Sequence, residues 1–186
     1  MPKIGVDNLH VAILKNDSKT GVEYETPVPI PGLKKIKVGP KVDSATYYAD
    51  NIAKSTYSAI GNIDVEIETG DLDLDTLALL LGYEVENGVI VDDGGEAPYV
   101  AIGFSSLKDN NKRRYVWLYK GKFTIPEEED ETKEDKIKFQ TEKIKGVFVQ
   151  RDYDSAWRAL GDEDHKDFKP ETATNWFEEV YEKPVA

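Results

Sequence analysis

The chain has 186 residues and a formal net charge of −12, with 36 acidic residues against 24 basic ones. A hydrophobic content of 39% and an aromatic content of 10% predict one folded domain with a sizeable core, not an acid-rich disordered tail. The charge disfavours specific nucleic-acid binding, which draws on Lys and Arg displacing condensed counterions. The absence of cysteine removes disulfides, thiolate nucleophiles and thiolate zinc sites, and fits a reducing compartment.

The N-terminus, MPKIGVDNLHVAILKND, has a short apolar stretch broken by His10. It lacks a signal-peptide core, and no segment is long and apolar enough to span a bilayer. A soluble protein made in a cytoplasm is the expectation. Leu9, Val11 and Ile13 alternate with their neighbours and predict a strand. TPVPIPG is a proline-punctuated connection, and Ile36 and Val38 alternate with lysines in a half-exposed strand. Lys41–Gly61 carries no clean period and is expected to be a long loop, of the kind that is functional or disordered in compact domains.

NIDVEIET reads as a two-faced strand, with Ile63, Val65 and Ile67 on one side and Asp64, Glu66 and Glu68 on the other. A helix follows in DLDLDTLALLLGY, capped by Asp71 or Asp73 and ended by Gly82, with Leu74, Leu77 and Leu81 at helical spacing. Two strands are expected around a DDGG turn in GVIVDDGGEAPYVAIGFSSL. In RRYVWLYKGKFTIP, strict alternation puts Tyr115, Trp117, Tyr119, Gly121, Phe123 and Ile125 on one face, a core or subunit-packing strand. A β-hairpin is expected to join it to KIKFQTEKIKGVFVQ across the acidic run 127–135. That run reads as a solvated tip that discourages edge-to-edge association. A second short helix is expected in YDSAWRAL, before the aromatic tail TNWFEEVYE. The fold class is α+β, mainly β: a β-sandwich or barrel-like domain with one or two short flanking helices.

No catalytic constellation emerges. His10 and His165 have no serine nucleophile motif beside them, and no phosphate-cradling glycine loop is present. DLDLDTLALLL lacks the central glycine and terminal glutamate of a calcium loop. A carboxylate pair in a cleft, as in glycosidases, is not excluded by composition alone. The expectation is a non-enzyme with no catalytic residue, no metal and no cofactor.

The ordered set of GVDNLHVAILKND, YYADN, LLLGY, APYVAIGF and RRYVWLYKGKFTIPEEEDETKEDKIKFQT resembles the major tail proteins of long-tailed, non-contractile bacteriophages. The resemblance runs to about Arg151. It implies a tail-tube β-domain over 1–151, including the long loop 41–61, and a C-terminal extension or arm over 152–186. Such proteins form hexameric rings whose inner strands make a continuous barrel, and the rings stack through long loops and arms. DNA crosses the lumen without specific binding. The implied location is the virion tail, assembled in the host bacterial cytoplasm. The implied partners are further copies of the chain and the tape measure, tail terminator and distal tail proteins, with no membrane.

On this resemblance Tyr47, Tyr48, Asp50, Asn51 and Tyr57 are the candidates for ring stacking, and Asp64, Glu66 and Glu68 for a lumen-facing acidic strand. Tyr115, Trp117, Tyr119 and Phe123 are expected in subunit packing or core. Two alternatives stand beside it: a tube protein of a contractile tail or secretion apparatus, and a β-sandwich that binds or cleaves carbohydrate.

Overall fold

The computed structural model describes residues 2–49, 52–127 and 141–184, with only the backbone described at 48, 49 and 52–55. The protein is mainly β. Its strands are β1 (Lys3–Ser18), β2 (Gly21–Tyr24), β3 (Val28–Pro29), β4 (Leu33–Ala49), β5 (Ile52–Thr69), β6 (Val85–Glu86), β7 (Val89–Ile90), β8 (Val100–Lys108), β9 (Arg113–Phe123), β10 (Glu142–Val149) and β11 (Arg158–Asp162). Two helices, α1 (Leu74–Leu81) and α2 (Pro170–Asn175), complete the described elements.

The main sheet runs β2-β1-β8-β9-β10-β5-β4, with β3 on β1 and β11 on β9, and every pairing is antiparallel. It curls until parts of β4 lie within 8 Å of β1 between Cα atoms. Its inner face holds the main core. Leu9 and Val11 of β1 meet Ile63, Val65 and Ile67 of β5, Val100, Ile102 and Phe104 of β8, and Ile144 and Phe148 of β10. The period-2 pattern of these strands therefore does what it predicts, sending one set of side chains inward.

α1 closes on this core with Leu80 and Leu81. Asp73 caps it by accepting from Thr76 N–H at 2.8 Å, and Gly82 ends it at φ 76°, where only glycine is at ease. Leu74, expected in the packed stripe, is exposed instead.

The two strands expected around DDGG are β7 and β8; they do not pair with each other, since β7 pairs with β6 and an irregular stretch leads from Val91 to β8. Three further expectations are corrected. YDSAWRAL is not a helix, since Arg158–Leu160 belong to β11 and turns precede them. Within Lys41–Gly61, the described residues 41–49 and 52–61 are not an irregular loop but the outer parts of β4 and β5, paired with each other.

The third of these concerns β9. Val100 pairs with Gly121 and Ile102 with Leu118, so β9 carries one extra residue between them. A bulge of this kind shifts every later side chain to the other face. Tyr115, Trp117 and Tyr119 point outward, whereas Phe123 joins Val116 and Leu118 in the inner core. Gly121 goes inward with Phe123, and a Cβ there would lie 2.3 Å from the Phe148 ring. Phe123 and Phe148 then meet edge to face at 5.7 Å.

The bulge is also where β9 changes partner. Lys120–Phe123 pair with β10, and Arg114–Leu118 pair with β11. β10 and β11 are thus two halves of one interrupted strand, and residues 150–156 loop out between them. Tyr119 N–H rejoins the ladder by donating to the Trp157 carbonyl at 3.0 Å.

Candidate assembly surfaces

Three features outside the main core are candidates for function: a projecting ribbon, a lysine-rich sheet face and a C-terminal cover.

The ribbon follows from the lengths of β4 and β5. β10 accompanies β5 only from Thr69 to Ile63. Beyond that the hairpin continues as a lone pair of strands, from Val42↔Ile60 out to Ala49↔Ile52, roughly 25 Å at the rise of an extended chain. Residues 41–47 and 56–60 are exposed, and no other described strand pairs with this part. Asp50 and Asn51 lie outside the described residues, as does the side chain of Tyr48.

Tyr57 pairs with Ala45, which makes Tyr47 its diagonal neighbour on one face. Both tyrosines are open to solvent, at 65% and 74%. The opposite face carries Ser44, Ser58, Thr46 and Thr56, with Val42 and Ile60 at the base. Thr46 and Thr56 hydroxyls meet at 3.3 Å. Residues 42–60 include only three charged side chains, Asp43, Asp50 and Lys54, in a chain that is 32% charged. Charge depletion with exposed tyrosine is the composition of an interface centre, and a two-stranded ribbon alone is marginal in water.

Among the described residues, no element covers the outer face of β4, β5 and β10. Register places Glu66 between Lys37 and Lys145, and Glu68 between Lys35 and Lys143. Lys34 contacts Glu68 at 2.9 Å, Lys41 contacts Asp64 at 2.9 Å, and Lys145 reaches Glu127 at 3.8 Å. Hydrogen bonds from Lys34 and Thr141 hold the Glu68 carboxyl below its usual range. Asp64, Glu66 and Glu68 do share one outward face, as expected, but it is a mixed face with lysine in excess rather than an acidic one.

The remaining outer face, on β1, β8, β9 and β11, is covered by the chain after Asp162. Small residues line the sheet there: Ala12, Ala101, Gly103 and Ala159. A Cβ on Gly103 would lie 2.7 Å from the Trp117 ring, so the indole needs a glycine beneath it. Trp117, Tyr115 and Tyr119 stand on this floor, and Trp176, Phe177, Val180 and Tyr181 close over them. Trp117 Nε1 donates to the Trp176 carbonyl and Tyr119 Oη to the Tyr181 carbonyl, each at 2.8 Å. His10 stacks on Phe177 at 4.5 Å between ring centres. Burial, helped by donation to Glu163, pushes the Tyr115 phenol up to about 12.

Sequence reasoning missed the residue that fastens this cover. Arg151 is buried at the root of the looped-out segment. Its guanidinium binds Asp154 through Nε at 2.7 Å and Nη2 at 2.8 Å, and Glu182 through Nη1 at 2.5 Å and Nη2 at 2.7 Å. It also lies 3.8 Å over the Tyr119 ring. Such a planar fork, bidentate to two carboxylates and stacked on an aromatic ring, is a role lysine cannot fill. Nearby, Lys120 binds Asp17 at 2.7 Å and Asp152 at 2.8 Å, and Asp17 also accepts the N–H groups of Asp152 and Tyr153. At the far end Lys108 is buried against Asp162 and Asp164. The sequence does not mark these cations, because apart from Asp154, three residues from Arg151, their partners lie 31 or more positions away.

Among the described residues no cluster of three or more His, Asp or Glu is placed to hold a metal ion, and no helix is long and apolar enough to cross a membrane. A comparison of the chain with protein-family models and with curated proteins finds no match.

Proposed function

We propose that the chain is a structural subunit that polymerises into the tail tube of a long-tailed, non-contractile phage, as stacked hexameric rings around a conduit for DNA. The observation that carries this reading is the β4–β5 ribbon: long, charge-poor, tyrosine-bearing and without a partner strand among the described residues. A curled antiparallel sheet supplies a rigid body, and the ribbon extends two of its strands far enough to reach a neighbouring subunit. Ring stacking is the role assigned to Tyr47 and Tyr57, at the ribbon's most exposed face.

The net charge of −12 suits a conduit. DNA passing an anionic wall makes few of the counterion-releasing contacts that would hold it. The carbohydrate-binding alternative has less support, because Trp117 and Trp176 are buried and offer a sugar no stacking platform. Further copies of the chain are the main partners on this reading, with terminator, tape measure and distal tail proteins at the ends and in the lumen.

Electron microscopy of the purified protein tests the proposal. Tubes or rings of constant diameter are expected, and Tyr47→Ala with Tyr57→Ala should leave a folded subunit that does not stack. Normal tubes from that double variant would sink the stacking role. A wild-type protein that stays monomeric at high concentration and binds glycans would sink the tube reading.

A further inference from the structure

Part of the outer sheet face is roofed by the chain after Asp162, and the part on β4, β5 and β10 has no cover among the described residues. The described cross-strand rows of that second part hold more lysine than carboxylate. Lys35 and Lys37 on β4 and Lys143 and Lys145 on β10 stand as two columns with Glu66 and Glu68 between them. All four lysines are exposed.

We propose that this lysine-flanked face docks against an acidic surface of a second copy of the chain. The proposal rests on the reading of the chain as a self-assembling subunit and adds which surface associates and by what force. Charge complementarity identifies the occupant. With a net charge of −12 and this face in lysine excess, the rest of the chain is more acidic still, so every other copy approaches as a polyanion.

The pattern favours a protein over a nucleic acid. Neighbouring strands lie about 4.8 Å apart, so each lysine column sits one strand away from a column of carboxylates. A phosphate backbone settling on the lysines would meet Glu66 and Glu68 in the middle of its path. A protein surface can set acids against the lysines and a basic or hydroxyl group against the glutamates. Val147, exposed between Lys122 and Asp64 in the cross-strand row, gives such a contact an apolar centre.

The face also continues the covered half without a break. Both lie on one sheet, the cover over β1, β8, β9 and β11 and the lysines on β4 and β10. A second copy would complete the roof that the C-terminal segment starts.

Sedimentation velocity on the whole chain tests this, with the quadruple variant Lys35→Gln, Lys37→Gln, Lys143→Gln and Lys145→Gln beside the wild type. Wild-type self-association is expected to weaken at least about tenfold between roughly 50 mM and 500 mM salt, as exposed charges are screened. The variant should lose a similar factor at low salt and keep the wild-type thermal melt. Association that ignores both salt and the variant overturns the proposal, and so does a wild type that is monomeric throughout. Duplex DNA bound by the wild type and released by the variant, without self-association, would assign the face to nucleic acid instead. Tubes that form normally from the quadruple variant would reject this face and leave the tube reading standing. Salt-sensitive association without tubes would do the reverse.

Discussion

The two halves of the outer sheet face solve one problem in opposite ways. On β1, β8, β9 and β11 the sheet presents Ala12, Ala101, Gly103 and Ala159, residues too small to shield the backbone. Large aromatic side chains from β9 and from the C-terminal segment fill the space above them. On β4, β5 and β10 the same side of the same sheet presents Lys35, Lys37, Lys143 and Lys145 around glutamates, and needs no roof to remain in water. Small side chains on a sheet therefore announce that something large lies on top. Long charged ones announce a surface that meets solvent or an oppositely charged partner.

Breaking the covered half should have the largest effect. Trp117→Ala removes a fully buried indole from the centre of the aromatic layer, and a loss of about 3–5 kcal/mol is expected in chemical denaturation. Arg151→Ala should follow at about 1.5–3 kcal/mol, since it removes charge-assisted hydrogen bonds to Asp154 and Glu182 and takes the stacked guanidinium off Tyr119. Limited proteolysis separates the two halves here: cleavage in the C-terminal segment should appear in this variant before the β5–β10 ladder is cut.

Acid should act in the same order. The hydrogen bonds from Arg151 hold the Asp154 carboxyl below its ordinary value of 3.8. At Asp162 burial opposes ionisation, but hydrogen bonds from Lys108 and Arg114 outweigh it and depress that carboxyl too. A folded-state value below the unfolded one means stability that is full above the unfolded value and lost as pH falls through the folded one. The cover should therefore loosen below about pH 4, and tryptophan fluorescence should report it before far-ultraviolet circular dichroism changes. The smallest effect belongs to the lysine-bearing half. Its quadruple Lys→Gln variant should change folding stability by no more than about 1 kcal/mol, because exposed ion pairs contribute little. A large loss there would mean that the lysines hold the fold rather than a partner.

Much of the inner core was legible in the sequence because each strand there has one wet face. Ile63, Val65 and Ile67 alternate with acids, and the sheet buries them as the pattern requires. α1 was legible from its caps at Asp73 and Gly82. The ribbon was not. Exposed on both faces, it has no reason to alternate, so Ser44, Thr46, Ser58 and Tyr57 carry no period to read. Phe123 faces opposite to what alternation predicts because one extra residue in β9 reverses the count, and a bulge leaves no mark in an alternating string. β11 does not show as a strand in the sequence, since its apolar residues answer to the cover, which packs Ala159 and presses Phe168 and Trp176 against Gly161. Of the candidate assembly residues, Tyr47 and Tyr57 were legible as exposed tyrosines. Arg151 was hidden, because Glu182 is 31 positions away.

β5 has a mechanical consequence. It runs from Ile52 to Thr69, through the ribbon and on between β10 and β4. A pull along the ribbon is delivered to the body along the strand axis, at right angles to the ladder hydrogen bonds. The seven residue pairs from Phe148↔Ile63 to Glu142↔Thr69 then resist together in shear, instead of opening one after another like a zip. A ribbon anchored in this way fails late and all at once.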